Sequence, residues 1–246
     1  MRRSAIHLSW ILVFGLGLLV ATSAAADFQK SYSIPAGGQI KVRNISGDIA
    51  VTGYDGQTIM VTATKEGRDR DEVTIEDRSS GDTVDLSVEY PHRGNVSASV
   101  NFDIRVPRGV EYNFGRLVSV SGNVQVSDVM GNLQVESVSG DVDVNGVSGV
   151  VSASAVSGNV NVDLKQAGSG NMKFSSVSGD VAVRAPANLD ADVEMSTISG
   201  SLNTDFGLEI HEPRYGPGRS ARGRLGSGTH SLRITTVSGR VSLTRA

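Results

Sequence analysis

Four carboxylates stand where acid chemistry could be done: Asp141, Asp143, Asp163 and Asp180. Asp141 and Asp143 are two residues apart, so strand alternation puts both on one face. Two carboxyls at the right separation could flank and hydrolyse a glycosidic bond. That would be the chemistry of a pectate-lyase-like β-helix, which clusters Asp, Arg and Lys on one face. Here most neighbouring outward positions are Ser, Asn or Gln, so the acids are diluted rather than gathered. Calcium is a second candidate, because the middle of the chain repeats every nine residues and calcium-binding rolls share that period. A calcium ladder needs roughly six to eight convergent oxygens. This chain lacks the paired glycines, and Asn123 and Asn159 alternate with Asp141 and Asp180. Those four residues suit a hydrogen-bonded turn ladder instead. His92, His211 and His230 share no metal-ligand spacing, and there is no cysteine to complete a zinc site. No nucleophile elbow and no phosphate-loop lysine accompany the glycine-rich turns. The sequence therefore assigns no catalytic residue, no metal and no cofactor.

The remaining chemistry is cationic. Arg214, Arg219, Arg222 and Arg224 fall in one short stretch with a single acid, Glu212. Pro213, Pro217 and three glycines make the stretch read as a loop, an insertion at about 206–224. Such a loop is either a solvated excursion or a contact for anionic groups such as phosphate or carboxylate sugars.

What positions these residues is a repeat. Val120, Val129, Val138, Val147 and Val156 each open a V-x-G triplet, nine residues apart. Val177, Ile198 and Val237 continue the series at spacings of 21, 21 and 39. Paired nines make rungs of 18, lengthening to 21, and the 39 contains one rung plus the insertion. Each unit holds an alternation such as Val124-Gln125-Val126 after a Ser-Gly-Asn or Ser-Gly-Asp turn. A strand so short cannot bury its own apolar face, but stacking successive rungs does. The predicted fold is all-β: a two-sided β-solenoid with 18–21-residue rungs. Val120, Val138, Val156, Val177, Ile198 and Val237 are expected as an inward core ladder. Val124, Val142, Val160, Val181, Leu202 and Val241 form a second. Asn123, Asp141, Asn159 and Asp180 stack at the turn.

Three regions follow. Met1-Arg2-Arg3, an apolar run from Leu8 to Val20 and a small-residue segment ending at Ala26 read as a secretory signal peptide, residues 1–26. Residues 27–116 read as irregular β rungs or a cap, with a separate β-sandwich as the alternative. Residues 117–246 read as the regular solenoid. Without Arg2 and Arg3, the 23 basic residues fall to 21 against 26 acidic, a mild balance that argues against nucleic-acid binding. No later segment is apolar enough to span a bilayer. The absence of cysteine excludes an acylated lipoprotein anchor.

The chain resembles the bacterial DUF4097 family of putative adhesins. The resemblance rests on the reiterated [VI]-S-G-[DN]-[VI]-x-V units, on Val106-Pro107-Arg108-Gly109, and on a late glycine-rich segment before a final T-x-S-G. It implies an extracytoplasmic right-handed solenoid with no established catalytic residues. Three functions stay open. The first is a non-catalytic adhesin or envelope scaffold, periplasmic, cell-surface or secreted, that binds glycans or proteins through its repeat faces. The second is an envelope-stress or regulatory module that binds a protein by a strand edge. The third, ranked last, is a polysaccharide-active enzyme. End-to-end or edge self-association is open to any of them, since Val237–Leu243 ends the chain without an obvious cap.

Overall fold

The computed structural model describes residues 26–91, 95–214 and 216–246. All but the last residue of the signal-peptide segment, and His92, lie outside the described residues. The strands in chain order are β1 (Phe28–Tyr32), β2 (Gln39–Ser46), β3 (Ile49–Tyr54), β4 (Ile59–Glu66), β5 (Thr74–Asp77), β6 (Thr83–Glu89) and β7 (Ser99–Pro107). Then follow β8 (Glu111–Ser121), β9 (Val124–Ser127), β10 (Met130–Ser139), β11 (Val142–Gly149), β12 (Val151–Ser157), β13 (Val160–Ala167), β14 (Met172–Ser178) and β15 (Val181–Ala185). The last are β16 (Ala191–Ser199), β17 (Leu202–Thr204), β18 (Ile210–His211), β19 (Arg219–Leu225), β20 (Ser231–Ser238) and β21 (Val241–Arg245). A single 3-10 turn, Arg70–Glu72, is the only helical element among the described residues.

The strands stack in two ladders joined by the Ser-Gly corners. The first ladder runs β6, β2, β8, β10, β12, β14, β20, β16, all parallel. The second runs β7, β3, β9, β11, β13, β15, β21, β17 in the same sense. β8 extends across the 116/117 division, and β2 and β3 stack directly on β8 and β9.

Stack order departs from chain order at both ends. The last rung, β20–β21, lies between β14–β15 and β16–β17. The expected free C-terminal edge therefore does not exist, since both sides of β20 and β21 are paired. Antiparallel strands cover both ends of the first ladder and one end of the second, whose other end is β17, paired only with β21 among the described residues. β19 pairs along β16 and β18 along β19. At the other end β5 covers β6, while β4 and then β1 cover β7. Antiparallel cover hides the unpaired backbone that a bare rung would show. β1 is held further by Lys30 on Asp77 and by the Tyr32 hydroxyl, which donates to Asp77 at 3.0 Å. Burial alone would raise the Asp77 carboxyl, but hydrogen bonds from Lys30, Ser79 and Tyr32 hold it well below the carboxylate range.

The core lies between the ladders. Leu86, Val42, Leu117, Val135, Ala153, Phe174, Ile234 and Met195 form one buried row across the first ladder. Val124, Val142, Val160, Val181 and Val241 form a row in the second, with Leu202 half-buried at the end rung. Each buried valine contributes about 2 kcal/mol.

The expected inward ladder of Val120, Val138, Val156, Val177, Ile198 and Val237 is corrected. These residues are between 41% and 55% exposed. Parity is set before the corner: Leu133, Val135 and Ser137 point inward, so Val138 points out. The chain then turns through Ser139-Gly140-Asp141 and re-enters at Val142. Taking the valines on both sides of the corner as inward slips the first strand by one residue, which exchanges its faces.

Candidate functional site

The corners are built from three stacked contacts. First, each inward hydroxyl caps a glycine carbonyl of a neighbouring rung. Ser137 Oγ donates to Gly122 O at 3.0 Å, Ser176 Oγ to Gly158 O at 2.8 Å and Thr236 Oγ1 to Gly179 O at 2.9 Å. Ser119 and Thr197 do the same to Gly47 and Gly239. Second, the corner glycines nearly touch: a Cβ on Gly140 would lie 2.2 Å from the Gly122 carbonyl oxygen. Third, Asn123, Asp141, Asn159 and Asp180 each lend one side-chain oxygen to the next rung's backbone N–H. Asn123 Oδ1 accepts from Asp141 at 2.9 Å, Asp141 from Asn159 at 2.7 Å, Asn159 from Asp180 at 2.9 Å and Asp180 from Arg240 at 2.7 Å. Asp48 and Asn101 extend the series at the other end.

The remaining acids are dispersed. Asp143 accepts Asn161 Nδ2 at 2.8 Å on the outer face of the second ladder. Asp163 pairs with Arg184 at 3.3 Å on the same face. Asp141 and Asp180 sit at the corner, so the four carboxylates do not converge. His211 lies on β18 and His230 just before β20.

The arginine insertion is not the loop expected over 206–224. It is a hairpin, with β19 laid along β16 from Ala191↔Leu225 to Thr197↔Arg219. The Arg-Ser-Ala-Arg-Gly-Arg-Leu order is itself a strand pattern, with Ala221 buried. Antiparallel pairing sets Arg222 against Glu194 and Arg224 against Asp192. The salt bridges measure 2.6 Å and 3.4 Å. Complementary charge between Asp192-Val-Glu194 and Arg222-Gly-Arg224 was the readable signal for this pairing. Arg219 turns aside to the Gly200 carbonyl and to Glu212, and Arg214 falls between β18 and β19 in sequence.

Arg222 and Arg224 thus line a groove of about 640 Å³ on the outer face of the first ladder, with Asp192, Glu194 and Arg233. Arg233, from β20, shares Glu194 with Arg222 at 2.6 Å. Lys173 of β14 stands beside Arg233 in register. Three arginines against two carboxylates leave one positive charge in excess in the groove, and Lys173 lines the neighbouring hollow with Glu136. From there the face continues as a polar grid, with Ser154, Ser175, Thr235, Ser196 and Ser220 aligned across five strands. Arg233 joins the site, and Lys173 comes beside it, only because β20 is inserted between β14 and β16, which spacing alone does not show.

A family model described as Toastrack DUF4097 matches residues 33–244. No curated protein matches in sequence. Among solved structures, the chain is similar to a putative cell adhesion protein from Clostridium sporogenes, at 14% identity and a TM-score of 0.40 over 89% of this chain and 99% of that one. It is also similar to a putative adhesin from Bacteroides fragilis, at 12% identity and a TM-score of 0.32 over 89% and 96%.

Proposed function

The chain belongs to the Toastrack DUF4097 family, and with that as the starting point we propose that it is a non-catalytic, exported β-solenoid of the cell envelope. It acts in adhesion or as a scaffold, binding anionic glycans or acidic protein surfaces through the outer face of its first ladder. The observation that carries this reading is the cationic groove of Arg222, Arg224 and Arg233, with Lys173 in register beside Arg233, opening onto the Ser/Thr grid. Guanidinium groups offer paired donors to carboxylates and phosphates, and the flat grid offers many shallow hydrogen bonds. Glu194 binds Arg222 through one carboxylate oxygen and Arg233 through the other, which holds both guanidinium groups at the groove. β21 is paired on both sides, so a strand-edge contact would use an outer strand such as β17, β1 or β5, each paired on one side only among the described residues.

The test is a panel of acidic and neutral polysaccharides, scored for binding and for cleavage. Binding restricted to acidic members, weakened by Arg222→Ser with Arg233→Ser and by salt, supports the reading. Binding that ignores both arginines would refute the groove, and glycan cleavage would refute the non-catalytic role. Fractionation of cells expressing the full chain tests export.

A further inference from the structure

The correction of the core ladder leaves an apolar feature with no partner in the fold. In stack order, Ile45, Val120, Val138, Val156, Val177, Val237 and Ile198 stand at the same corner of seven consecutive rungs, each between 41% and 55% exposed. At the strand repeat the ridge is about 29 Å long. A file of serines follows it: Ser121, Ser139, Ser157, Ser178, Ser238 and Ser199, all exposed. Isolated exposed valines are ordinary, but an unbroken file of them is not.

We infer that this ridge is a self-association surface on which a second copy of the chain packs ridge to ridge. Three observations select that occupant. The ridge presents one β-branched side chain per rung, so a partner must repeat at the same interval, and the chain itself does. An antiparallel second copy, shifted by half a rung, seats each side chain between two others under a two-fold axis. Charge also fits: neither the aliphatic file nor the serine file carries an ionisable group, although the chain is net negative. The nearest carboxylates on the corner, Asp141 and Asp180, lie two residues past the serine file, and each accepts a backbone N–H of the next rung. At the end rung, Glu212 beside Ile198 is paired with Arg219. Area is sufficient: the ridge and serine file offer on the order of 500 Å², the upper range a monomer leaves open. Two copies then bury about 1,000 Å², the lower bound of a specific interface. The ridge has no aromatic side chain on which a sugar could stack.

This inference does not depend on the glycan-binding face, which lies on β14, β20, β16 and β19. Sedimentation of the exported protein over ~1 to ~100 μM, where a contact of this size would register, tests it. The expected result is a reversible monomer–dimer equilibrium. Val138→Lys with Val156→Lys should weaken it by about 100-fold, because like charges meet across the two-fold axis. Val138→Thr with Val156→Thr, which keeps shape and β-branching, should weaken it less. Gln125→Lys, on the second ladder's outer face, should leave it unchanged. Unaltered melting temperatures show that each variant folds. A protein that stays monomeric at the highest concentration, or a dimer indifferent to the ridge substitutions, overturns the inference. Acidic-glycan binding measured on the same variants separates loss of the dimer from loss of the binding face.

Discussion

Asp141 Oδ1 accepts the backbone N–H of Asn159 at 2.7 Å, one rung away along the stack. The contact uses a single acceptor oxygen, which Asn supplies as well as Asp, and this is why both types alternate down the corner. Asp141→Asn should change stability by only a few tenths of a kcal/mol, whereas Asp141→Ala should lose about 1 kcal/mol. Urea unfolding of both variants checks this. Equal losses would show that charge, not acceptance, matters.

The inward hydroxyls make a matched pair of expectations. Ser137→Ala removes the donor to Gly122 O and should cost about 1 kcal/mol, since the site is buried. Ala155 occupies the equivalent position one rung on and leaves the Gly140 carbonyl without that hydroxyl. Ala155→Ser should therefore stabilise or be neutral, despite adding a polar atom to the interior. Marked destabilisation by Ala155→Ser in a thermal melt would contradict the hydroxyl's role.

These serines show what the sequence could and could not reveal. The corner, the two strands per rung and the second valine ladder followed from V-x-V alternation and the recurring Ser-Gly-[Asn/Asp]. The inward face of the first strand did not, because Val is the apolar letter of Ser-Val-Ser-Gly and Ser is the polar one. Interior carbonyls at the glycine corners reverse that preference: a hydroxyl that caps one belongs inside. At the corners of the first ladder the letter before Val-Ser-Gly is Ser119, Ser137, Ala155, Ser176 and Thr236, a mostly hydroxyl pattern that could have signalled it. The position of β20 was hidden for a different reason. A spacing of 39 between Ile198 and Val237 gives the length of an insertion, not the edge onto which the chain returns. Arg233 joins Arg222, and Lys173 comes beside Arg233, only through that return.

Gly140 tests close approach. A methyl group there meets the Gly122 carbonyl at 2.2 Å, and the backbone of the neighbouring rung cannot yield without moving its own ladder. Gly140→Ala should destabilise by about 2 to 4 kcal/mol, as overpacking of a rigid interior does. Gly81→Ala, where the added Cβ meets nothing within 4 Å, isolates backbone conformation at φ +60 from contact. A loss at Gly140 no larger than at Gly81 would remove the steric explanation.

Asp190 predicts an acid limit for one segment. Its carboxylate accepts Ser227 Oγ at 2.6 Å, Gly228 N–H at 2.6 Å and both the N–H and hydroxyl of Thr229. The Ser227 hydrogen bond first, with the Thr229 and Gly228 contacts, lowers its pKa to about 2. The folded value lies below the unfolded one, so the stabilisation is complete above the ordinary carboxylate range, around pH 4. It is lost as pH falls from there through about 2. Amide exchange of residues 226–229 should accelerate across that window, and Asp190→Asn should flatten the dependence. Exchange that is independent of pH, once corrected for intrinsic rates, would dispose of the clamp.

The hairpin that carries the arginines also closes the stack, and the two roles can be separated. β19 covers β16 along seven paired residues, and its outward side chains face Asp192 and Glu194. Exposed pairs of this kind are each worth at most about 1 kcal/mol, so single substitutions should be mild. Arg222→Glu with Arg224→Glu instead sets like charges directly opposite one another on both pairs, which destabilises a strand pair. The expected consequence is release of β19 and faster amide exchange in residues 191–199. The parallel edge of β16 would then be open to other chains, and concentration-dependent light scattering should rise. Adding Asp192→Arg and Glu194→Arg restores complementarity with the charges exchanged, so protection should return. Anionic-glycan binding should not fully return, because Glu194 would no longer hold Arg233. Recovery of protection without recovery of binding separates edge cover from ligand contact, whereas recovery of both would show that the groove needs its charges but not on a particular strand.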